Sequence, residues 1–321
     1  MAVLEVQNLR THFKTQRGFV KAVDGVSFEV EKGQAMGLAG ESGCGKTTVA
    51  LSILRTLPTA GKILDGKLLF RGQNILELTE DEFRENIRWK GISIVFQGAM
   101  NALNPVYKIG DQIIEAITLH EPDVERDTAV ERTQKLFELV GIDPSRIDNY
   151  PHEFSGGMRQ RSMIAMALAC NPALLIADEP GTALDVIVAA QVLKLMNELK
   201  AKLNLAMILI THDLSIIAET CERSAIMYAG KVAEYADVYS IFKEPLHPYT
   251  QGLMGVFPKI KDAKTRMTSI PGSPPDLLNP PTGCKFHPRC KYAMEICKTE
   301  EPAFLDIGKN HYVSCHLVAK K

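Results

Sequence analysis

The chain has 321 residues, of which 45% are hydrophobic and 23% are charged, and its formal net charge at pH 7 is -1. This length and composition are typical of a folded globular protein with one large core and smaller appended parts, and they exclude a mainly disordered chain. The near-zero net charge excludes the broad basic surface that non-specific nucleic-acid binding needs, so we expect no nucleic-acid partner.

The N-terminal residues favour a strand over an export signal. The sequence MAVLEVQNLRTHFKTQRGF alternates apolar and polar residues and then becomes basic, without the apolar centre of a signal peptide. The most apolar region, residues 163–177, is interrupted by Asn171 and Pro172 and is shorter than the ~20 residues that a membrane-spanning helix requires. We therefore expect a cytosolic chain without a segment that crosses a bilayer.

Short apolar runs alternate with helical stretches along the chain. They cover residues 35–39, 92–96, 174–177 and 206–210. Such runs are typical of buried strands in a parallel sheet, so the pattern predicts an α/β fold. Before the last run, apolar residues recur at helical spacing and predict a helix over residues 186–203 with one side in the core. These residues are Val188, Val192, Leu195 and Leu199.

Changes in composition divide the chain. Residues from about 101 to 150 are rich in helix formers and charge, which predicts an inserted helical subdomain, and from about residue 236 Pro, Lys and Cys become frequent, which indicates a linker and a loop-rich extension. The predicted organisation is a core over residues 1–98 and 159–236, a helical subdomain over residues 99–158, and a C-terminal extension over residues 237–321.

A phosphate-binding motif, G-x-x-x-x-G-K-[ST], follows the first apolar run and precedes an apolar helix. Its glycines let backbone N–H groups surround phosphate oxygens, while Lys46 would reach the β- and γ-phosphates and Thr47 would bind Mg²⁺. The alternative is an ordinary glycine turn, which the strand–loop–helix setting disfavours. The predicted nucleotide-binding residues are Gly40, Glu41, Ser42, Gly43, Cys44, Gly45, Lys46, Thr47 and Thr48.

Two adjacent acids end the third apolar run. Asp178 and Glu179 follow the sequence ALLIA, at the carboxyl end of a predicted strand, which is where ligands bind in open α/β sheets. Asp178 would hold Mg²⁺ through its water shell, and Glu179 would polarise the attacking water. The alternative is a solvent-exposed strand end without a function.

Ser155, Gly156 and Gly157 begin another predicted helix, 23 residues before Asp178. A hydroxyl and unshielded amides at a helix start form an anion-binding arrangement. In a chain that also has a phosphate-binding loop, the segment FSGGM resembles the signature loop of ABC ATPases, usually written Leu-Ser-Gly-Gly-Gln. The resemblance implies a P-loop NTPase (RecA-like) core with a mixed sheet. It also implies a pair of ATPase subunits in which each ATP lies between the phosphate loop of one subunit and the signature loop of the other.

The resemblance also implies roles for further residues. Gln97 matches the Gln loop, which contacts Mg²⁺ and water and communicates with a membrane partner, Asp185 resembles the D-loop, and His212 resembles the switch histidine at the γ-phosphate. Gly181 departs from the family, which usually has Thr or Ser there. An adenine-stacking aromatic is expected upstream of the phosphate loop. Phe13 and Phe19 are both candidates, and either is alternatively a core residue.

Three longer segments narrow the resemblance. QGAMNALNPVYKIGDQI, HEFSGGMRQR and EPLHPYTQGLM are similar to the ATPases of oligopeptide and dipeptide permeases, although related ATPases serve nickel and oligosaccharide permeases. The resemblance implies peptide import at the cytoplasmic face of the membrane, with a second ABC ATPase subunit, two transmembrane permease subunits and an external substrate-binding protein. The alternatives are a soluble ABC ATPase that acts on ribosomes or DNA, and a different P-loop enzyme such as a kinase.

Seven cysteines fall into two groups. Cys44, Cys170 and Cys221 are scattered, and Cys170 and Cys221 are expected to be small packing residues. The other four lie in a segment too poor in apolar periodicity to fold by burial alone, namely Cys284, Cys290, Cys297 and Cys315. Two disulfides, a zinc ion and an iron–sulfur cluster all fit four thiols. The resemblance to dipeptide-permease ATPases implies a [4Fe-4S] cluster, with Zn²⁺ as the alternative.

Overall fold

The computed structural model describes residues 2–255 and 270–319. These residues form two compact units, which we name by their contents. The helical unit comprises residues 2–4, 30–35 and 69–210, and the phosphate-loop unit comprises residues 5–29, 36–68, 211–255 and 270–319.

The strands of the described residues are β1 (Ala2–Thr15), β2 (Gly18–Glu31), β3 (Ala35–Ala39), β4 (Gly61–Phe70), β5 (Gln73–Asn74), β6 (Ile92–Val95), β7 (Leu174–Asp178), β8 (Ala206–Thr211), β9 (Arg223–Tyr228), β10 (Lys231–Asp237), β11 (Leu305–Asp306) and β12 (Tyr312–Val313). The α-helices are α1 (Lys46–Ile53), α2 (Glu80–Asn86), α3 (Ile109–His120), α4 (Arg126–Leu139), α5 (Gly156–Ala167), α6 (Val186–Leu203), α7 (Leu214–Thr220), α8 (Val238–Lys243), α9 (Pro248–Met254), α10 (Ile296–Thr299) and α11 (His316–Ala319).

In the helical unit, β6, β7 and β8 run parallel to one another, with Ile176 opposite both Ile94 and Ile208. All five residues of β7 are buried. A central parallel strand is covered on both faces, which is why its sequence is continuously apolar rather than alternating. The four predicted runs therefore correspond to β3, β6, β7 and β8, and the α/β fold class is confirmed.

Helix α6 has the predicted bounds, Val186–Leu203. Val192, Leu195 and Leu199 are buried as expected, and Met196 joins them on the same side of the helix. Val188, in the first turn of the helix, is only half-buried. The helical spacing of apolar residues was thus a sufficient signal for this element.

In the phosphate-loop unit, β3 pairs with β9 in parallel and β9 pairs with β10 in antiparallel orientation, so the strands are mixed, as the family resemblance implies. All five residues of β3 are buried, and this strand leads directly into the glycine-rich segment before α1. In a second sheet of this unit, β1 lies between β2 and β4. The predicted N-terminal strand is therefore confirmed.

The C-terminal part contains more regular structure than its composition predicts. Strand β12 pairs with β10, with Val313 opposite Glu234, and β11 pairs with β12. Two-residue strands carry no periodic signal, so the sequence could not reveal them. They attach the segment that follows residue 270 to the sheet of the phosphate-loop unit.

Among the described residues, no helix combines the length and the apolar content needed to cross a membrane.

Candidate nucleotide-binding site

The phosphate loop (residues 40–48) turns between β3 and α1 at positions that require glycine. Gly40 and Gly45 have φ angles of 144° and 107°. A Cβ atom at these positions would collide with the backbone carbonyl oxygens of Met227 and Ala22, respectively. Side chains are therefore excluded here both by conformation and by space. Ser42, Gly43 and Thr47 are exposed in the same loop, and Thr48 is half-buried.

Lys46 begins α1 and is 7% exposed. Its Nζ donates hydrogen bonds to the carbonyl oxygens of Gly40 at 2.8 Å and Glu41 at 3.1 Å, which hold the ammonium group against the loop. A buried cation held by neutral carbonyls favours an anionic ligand, because an anion compensates the charge that burial deprives of water. The arrangement therefore suits a phosphate group.

The Cys44 thiol is also buried in the loop. Burial raises the pKa of this thiol above its usual value, so it stays protonated near neutral pH. A buried, protonated thiol is not suited to hold phosphate, so Cys44 can contribute to the loop only through its backbone.

Glu41 makes contacts that the sequence did not reveal. Its carboxylate forms an ion pair with Arg289, and its backbone N–H donates to Tyr249 Oη at 3.0 Å. A negative charge inside a loop suited to phosphate requires a neutralising partner, so the presence of Glu41 in the motif indicated that a cation lies nearby. Nothing in the sequence pointed to Arg289, 248 residues away, as that partner.

In the helical unit, Asp178 is the last residue of β7 and is 1% exposed. Glu179 follows with a φ of 46°, a conformation that costs a non-glycine residue about 1 kcal/mol and is frequent at functional sites. Its N–H donates to the Ile210 carbonyl at 2.8 Å, which keeps the residue at the end of the sheet.

The Glu179 carboxylate is held by two donors. Its Oε2 accepts hydrogen bonds from Gln97 Nε2 at 3.0 Å and from Thr182 Oγ1 at 2.9 Å. The structure thus brings together Gln97 and Glu179, two predicted site residues that are 82 positions apart. Thr182 was not predicted as a site residue, although it lies in the segment that leads to Asp185.

The predicted signature loop begins α5, as expected. Ser155 is exposed and caps this helix, with its Oγ accepting from the Met158 N–H at 3.3 Å. A Cβ on Gly157 would lie 2.6 Å from Val188 Cγ1, so the starts of α5 and α6 approach closely. Asp185 caps α6 by accepting from the Val188 N–H at 2.9 Å. Ser155, Gly156, Gly157 and Asp185 therefore cluster at one end of these two helices.

Gly181 has a physical explanation in this chain. A Cβ at this position would lie 3.2 Å from the Cβ of Ala189 in α6, which is closer than most such contacts. The loop between β7 and α6 therefore packs tightly on the helix, and glycine relieves that crowding.

The remaining predicted residues lie in the phosphate-loop unit. His212 is exposed directly after β8, and the next residue, Asp213, caps α7 by accepting from the Ser215 N–H at 2.8 Å. Phe19 is 54% exposed, which leaves a ring face available. Phe13 is half-buried, and its ring packs so closely on Gly61 that a Cβ there would lie 2.7 Å from Phe13 Cε1.

The cysteine tail (residues 270–319) brings its four thiols to one small cavity, which Phe286 and Tyr292 also line. All four cysteines are free. Burial raises the pKa of Cys284 to about 11 and also raises the pKa of Cys290 and Cys315. Within residues 2–255 and 270–319, no group of three or more His, Cys, Asp or Glu side chains is arranged to hold one metal ion. A metal in the tail, zinc or iron, is thus not established by these residues.

A buried strand that runs into a glycine loop, a lysine and a helix defines a P-loop nucleotide-binding protein. Similarity to known proteins identifies which kind of P-loop protein this is. Residues 23–182 match the family described as "ABC transporter", and residues 233–297 match "Oligopeptide/dipeptide transporter, C-terminal region".

Relatives match over nearly the whole chain. The "Probable peptide ABC transporter ATP-binding protein y4tR" of Sinorhizobium fredii is 46% identical, covering 98% of this chain and 94% of the relative. The "Dipeptide transport ATP-binding protein DppD" of Escherichia coli is 44% identical, covering 98% and 97%. Among solved structures, cbiO1 from Clostridium perfringens, part of the ABC transporter complex cbiONQ, superimposes with a TM-score of 0.65 at 25% identity, covering 76% of this chain and 91% of that one.

The chain belongs to the family of ABC transporter ATP-binding proteins. It is accordingly an ATPase, as the phosphate loop and the two acids at the end of β7 predict.

Proposed function

We propose that this chain hydrolyses ATP to energise the import of dipeptides or oligopeptides through membrane permease subunits. One observation carries the proposal: the similarity to peptide-transport ATP-binding proteins extends over 98% of the chain and includes the C-terminal region named for peptide transporters. The ABC domain match alone, over residues 23–182, would not distinguish peptides from other cargo.

The phosphate loop would bind the triphosphate through its backbone amides and Lys46. Lys46 would exchange its present bonds to the Gly40 and Glu41 carbonyls for phosphate oxygens. Oxygen ligands suit Mg²⁺, and it would be held by the Thr47 hydroxyl, the Gln97 side chain and, through its water shell, the Asp178 carboxylate. Mg²⁺, when bound, neutralises phosphate charge that develops during hydrolysis.

Glu179 would act as the general base. Its carboxylate accepts bonds from Gln97 and Thr182, which fix its orientation for taking a proton from water. Gln97 is exposed as well as bonded to Glu179, so it is suited to report the state of the base to a membrane subunit. His212 would contact the γ-phosphate, and Phe13 or Phe19 would stack on adenine.

A second, similar ATPase subunit would complete the site. The exposed Ser155 hydroxyl, Gly156 and Gly157 of this chain would contact the nucleotide bound to the partner's phosphate loop, and Asp185 would lie at the same interface. The predicted helical subdomain, residues 99–158, would transmit closure of this dimer to two transmembrane permease subunits. An external substrate-binding protein would deliver the peptide, and the chain would sit at the cytoplasmic face of the membrane.

We also propose that the cysteine tail binds a [4Fe-4S] cluster. Two observations support it: all four cysteines are free, and all four line one cavity. A cluster binds each thiolate at a different iron, so it needs thiols around a cavity rather than ligands that converge on one ion. A cluster, when bound, would stabilise a segment that lacks a core of its own.

The proposed function is tested by reconstitution. The chain, purified with its permease and ATPase partners, is placed in proteoliposomes with the external binding protein and MgATP, and uptake of radiolabelled dipeptides is measured. ATP-dependent accumulation of peptide is expected. Accumulation of nickel or an oligosaccharide with no accumulation of peptide would contradict the assignment.

A further inference from the structure

Glu41, in the phosphate loop, is held by a side chain of the cysteine tail. Arg289 Nη1 lies 2.6 Å from Glu41 Oε2, and Arg289 Nη2 lies 3.0 Å from Oε1, so the pair is bidentate. The Arg289 side chain is 6% exposed and that of Glu41 is 27% exposed. A bidentate, mostly buried pair fixes geometry, unlike a surface ion pair.

The tail fixes Arg289 itself in position. Its Nε donates to the Pro271 carbonyl at 2.8 Å, and Nη2 also approaches the Gly272 carbonyl at 3.3 Å. Its Nη1 lies 3.3 Å from Tyr228 Oη. The guanidinium group is thus anchored to backbone within the tail, and it presents a preformed fork to the loop.

A second contact holds the same loop residue by its backbone. The Glu41 N–H donates to Tyr249 Oη at 3.0 Å, and Tyr249, in α9, is fully buried. Its ring packs against Tyr228 and Phe286 at centroid distances of 4.6 and 5.4 Å. Because this amide is already bonded, Glu41 anchors the loop rather than presenting its N–H to phosphate.

We propose that Arg289 and Tyr249 are positioning residues that couple the fold of the cysteine tail to nucleotide affinity. Arg289 is adjacent to Cys290, and Phe286, which packs on Tyr249, lines the cavity of the four thiols. A change in that cavity would therefore move Arg289 and Tyr249, and both of these residues hold Glu41. The coupling rests on the proposed binding of ATP by the phosphate loop. It is reciprocal: a closed tail favours nucleotide binding, and bound nucleotide favours a closed tail.

The test compares variants of the full-length chain, and the affinity for a fluorescent ATP analogue with Mg²⁺ is measured for each. Arg289→Gln and Glu41→Gln are each expected to weaken binding about tenfold, within the usual range for coupled sites. The double variant is expected to be no weaker than either single one, because both remove the same interaction. Arg289→Lys should recover part of the loss, since it keeps the charge but not the fork.

Lys298→Gln is the matched control. Lys298 also lies in the tail and pairs with Glu295, but both side chains are exposed, so this change should leave affinity unaltered. Hydrogen exchange of residues 284–290 gives a second readout. Saturating MgATP should slow exchange there in the wild-type chain, and this protection should be lost in Arg289→Gln.

Wild-type affinity in a folded Arg289→Gln variant, with nucleotide-dependent protection intact, would overturn the coupling. If that variant does not fold, Glu41→Gln decides, because it leaves the bonds of Arg289 to Pro271 and Gly272 in place; unchanged affinity there is equally contrary. Failure of the wild-type chain to bind the analogue would instead overturn the proposed function.

Discussion

The phosphate loop and the cysteine tail reach defined conformations by different means. In the loop, Gly40 and Gly45 have φ angles of 144° and 107°, which residues other than glycine rarely adopt, so the local sequence indicates the turn. The tail has four thiols around a cavity, and two-residue strands attach it to β10. Its conformation depends on groups distant in sequence. A motif can thus be recognised from the sequence although the distant contacts that stabilise it cannot.

The largest expected effect is on ATP hydrolysis, in a variant that still binds ATP. Glu179→Gln can still accept the hydrogen bonds from Gln97 and Thr182 but lacks the carboxylate of the proposed base, so ATP hydrolysis should fall about a thousandfold while ATP binding persists. Phosphate release and nucleotide binding are measured side by side. Glu198→Gln, at an exposed position of α6, is the control and should hydrolyse normally. Rapid turnover in Glu179→Gln would exclude the residue as the base.

A second variant tests whether the phosphate loop depends on its glycines. Gly45→Ala introduces a Cβ that collides with the Ala22 carbonyl at a φ of 107°, and a cost of about 3 kcal/mol in the binding-competent loop would weaken ATP binding about a hundredfold. Gly43→Ala is the matched variant: its φ is 79°, but no atom lies within 4 Å of the added Cβ. Its loss should be about fivefold, from backbone strain alone. Equal losses would show that crowding is unimportant.

A third test asks whether Phe13 or Phe19 stacks on adenine, as proposed. Whichever of Phe13→Ala and Phe19→Ala removes the stacking contact should weaken ATP binding about tenfold. Binding of tripolyphosphate should be unchanged in both, because it has no base to stack. The exposure of Phe19 and the packing of Phe13 on Gly61 provide the matched contrast. If neither variant alters the ratio of the two affinities, neither residue stacks.

A fourth variant tests the cysteine tail. If the proposed [4Fe-4S] cluster is bound, it will give the wild-type protein a brown colour, and Cys297→Ser should remove that colour and most of the iron and sulfide. The same change should weaken ATP binding about fivefold through Arg289. Iron and sulfide analysis of protein purified without oxygen gives the first result, and nucleotide titration gives the second. Cys221→Ser, a buried cysteine outside the tail, should retain the iron. If the wild-type protein contains zinc and no sulfide, the proposed cluster is wrong and the tail binds Zn²⁺ instead.

The smallest expected effect concerns the loop after β7. Gly181→Ser restores a residue usual in the family but places its Cβ 3.2 Å from Ala189 Cβ, which a small shift relieves. ATP hydrolysis should change less than about twofold, as for most mild substitutions. Pairing it with Ala189→Gly, which removes the crowded atom, should cancel any loss. A loss that persists in the double variant would point to a cause other than crowding.

The predictable parts share one property: the signal and the structure lie within the same few turns of chain. Apolar runs predicted β3, β6, β7 and β8, and helical spacing predicted α6 to its observed bounds. The glycines predicted the turn before α1, and Ser155 predicted the start of α5. Thr182 beside Glu179 was missed, because a hydroxyl three positions from the acid has many other possible uses.

By itself, the sequence determined the α/β class, the phosphate loop, the two acids at the end of β7 and membership of the ABC family, because periodicity and glycine-specific turns act over short distances. Only the tertiary structure decided that Gln97 bonds to Glu179, that four thiols line one cavity, and that Arg289 and Tyr249 hold Glu41. Such contacts arise when chain folding brings distant residues together. Their energy depends on burial and orientation, which a single residue in a sequence does not reveal.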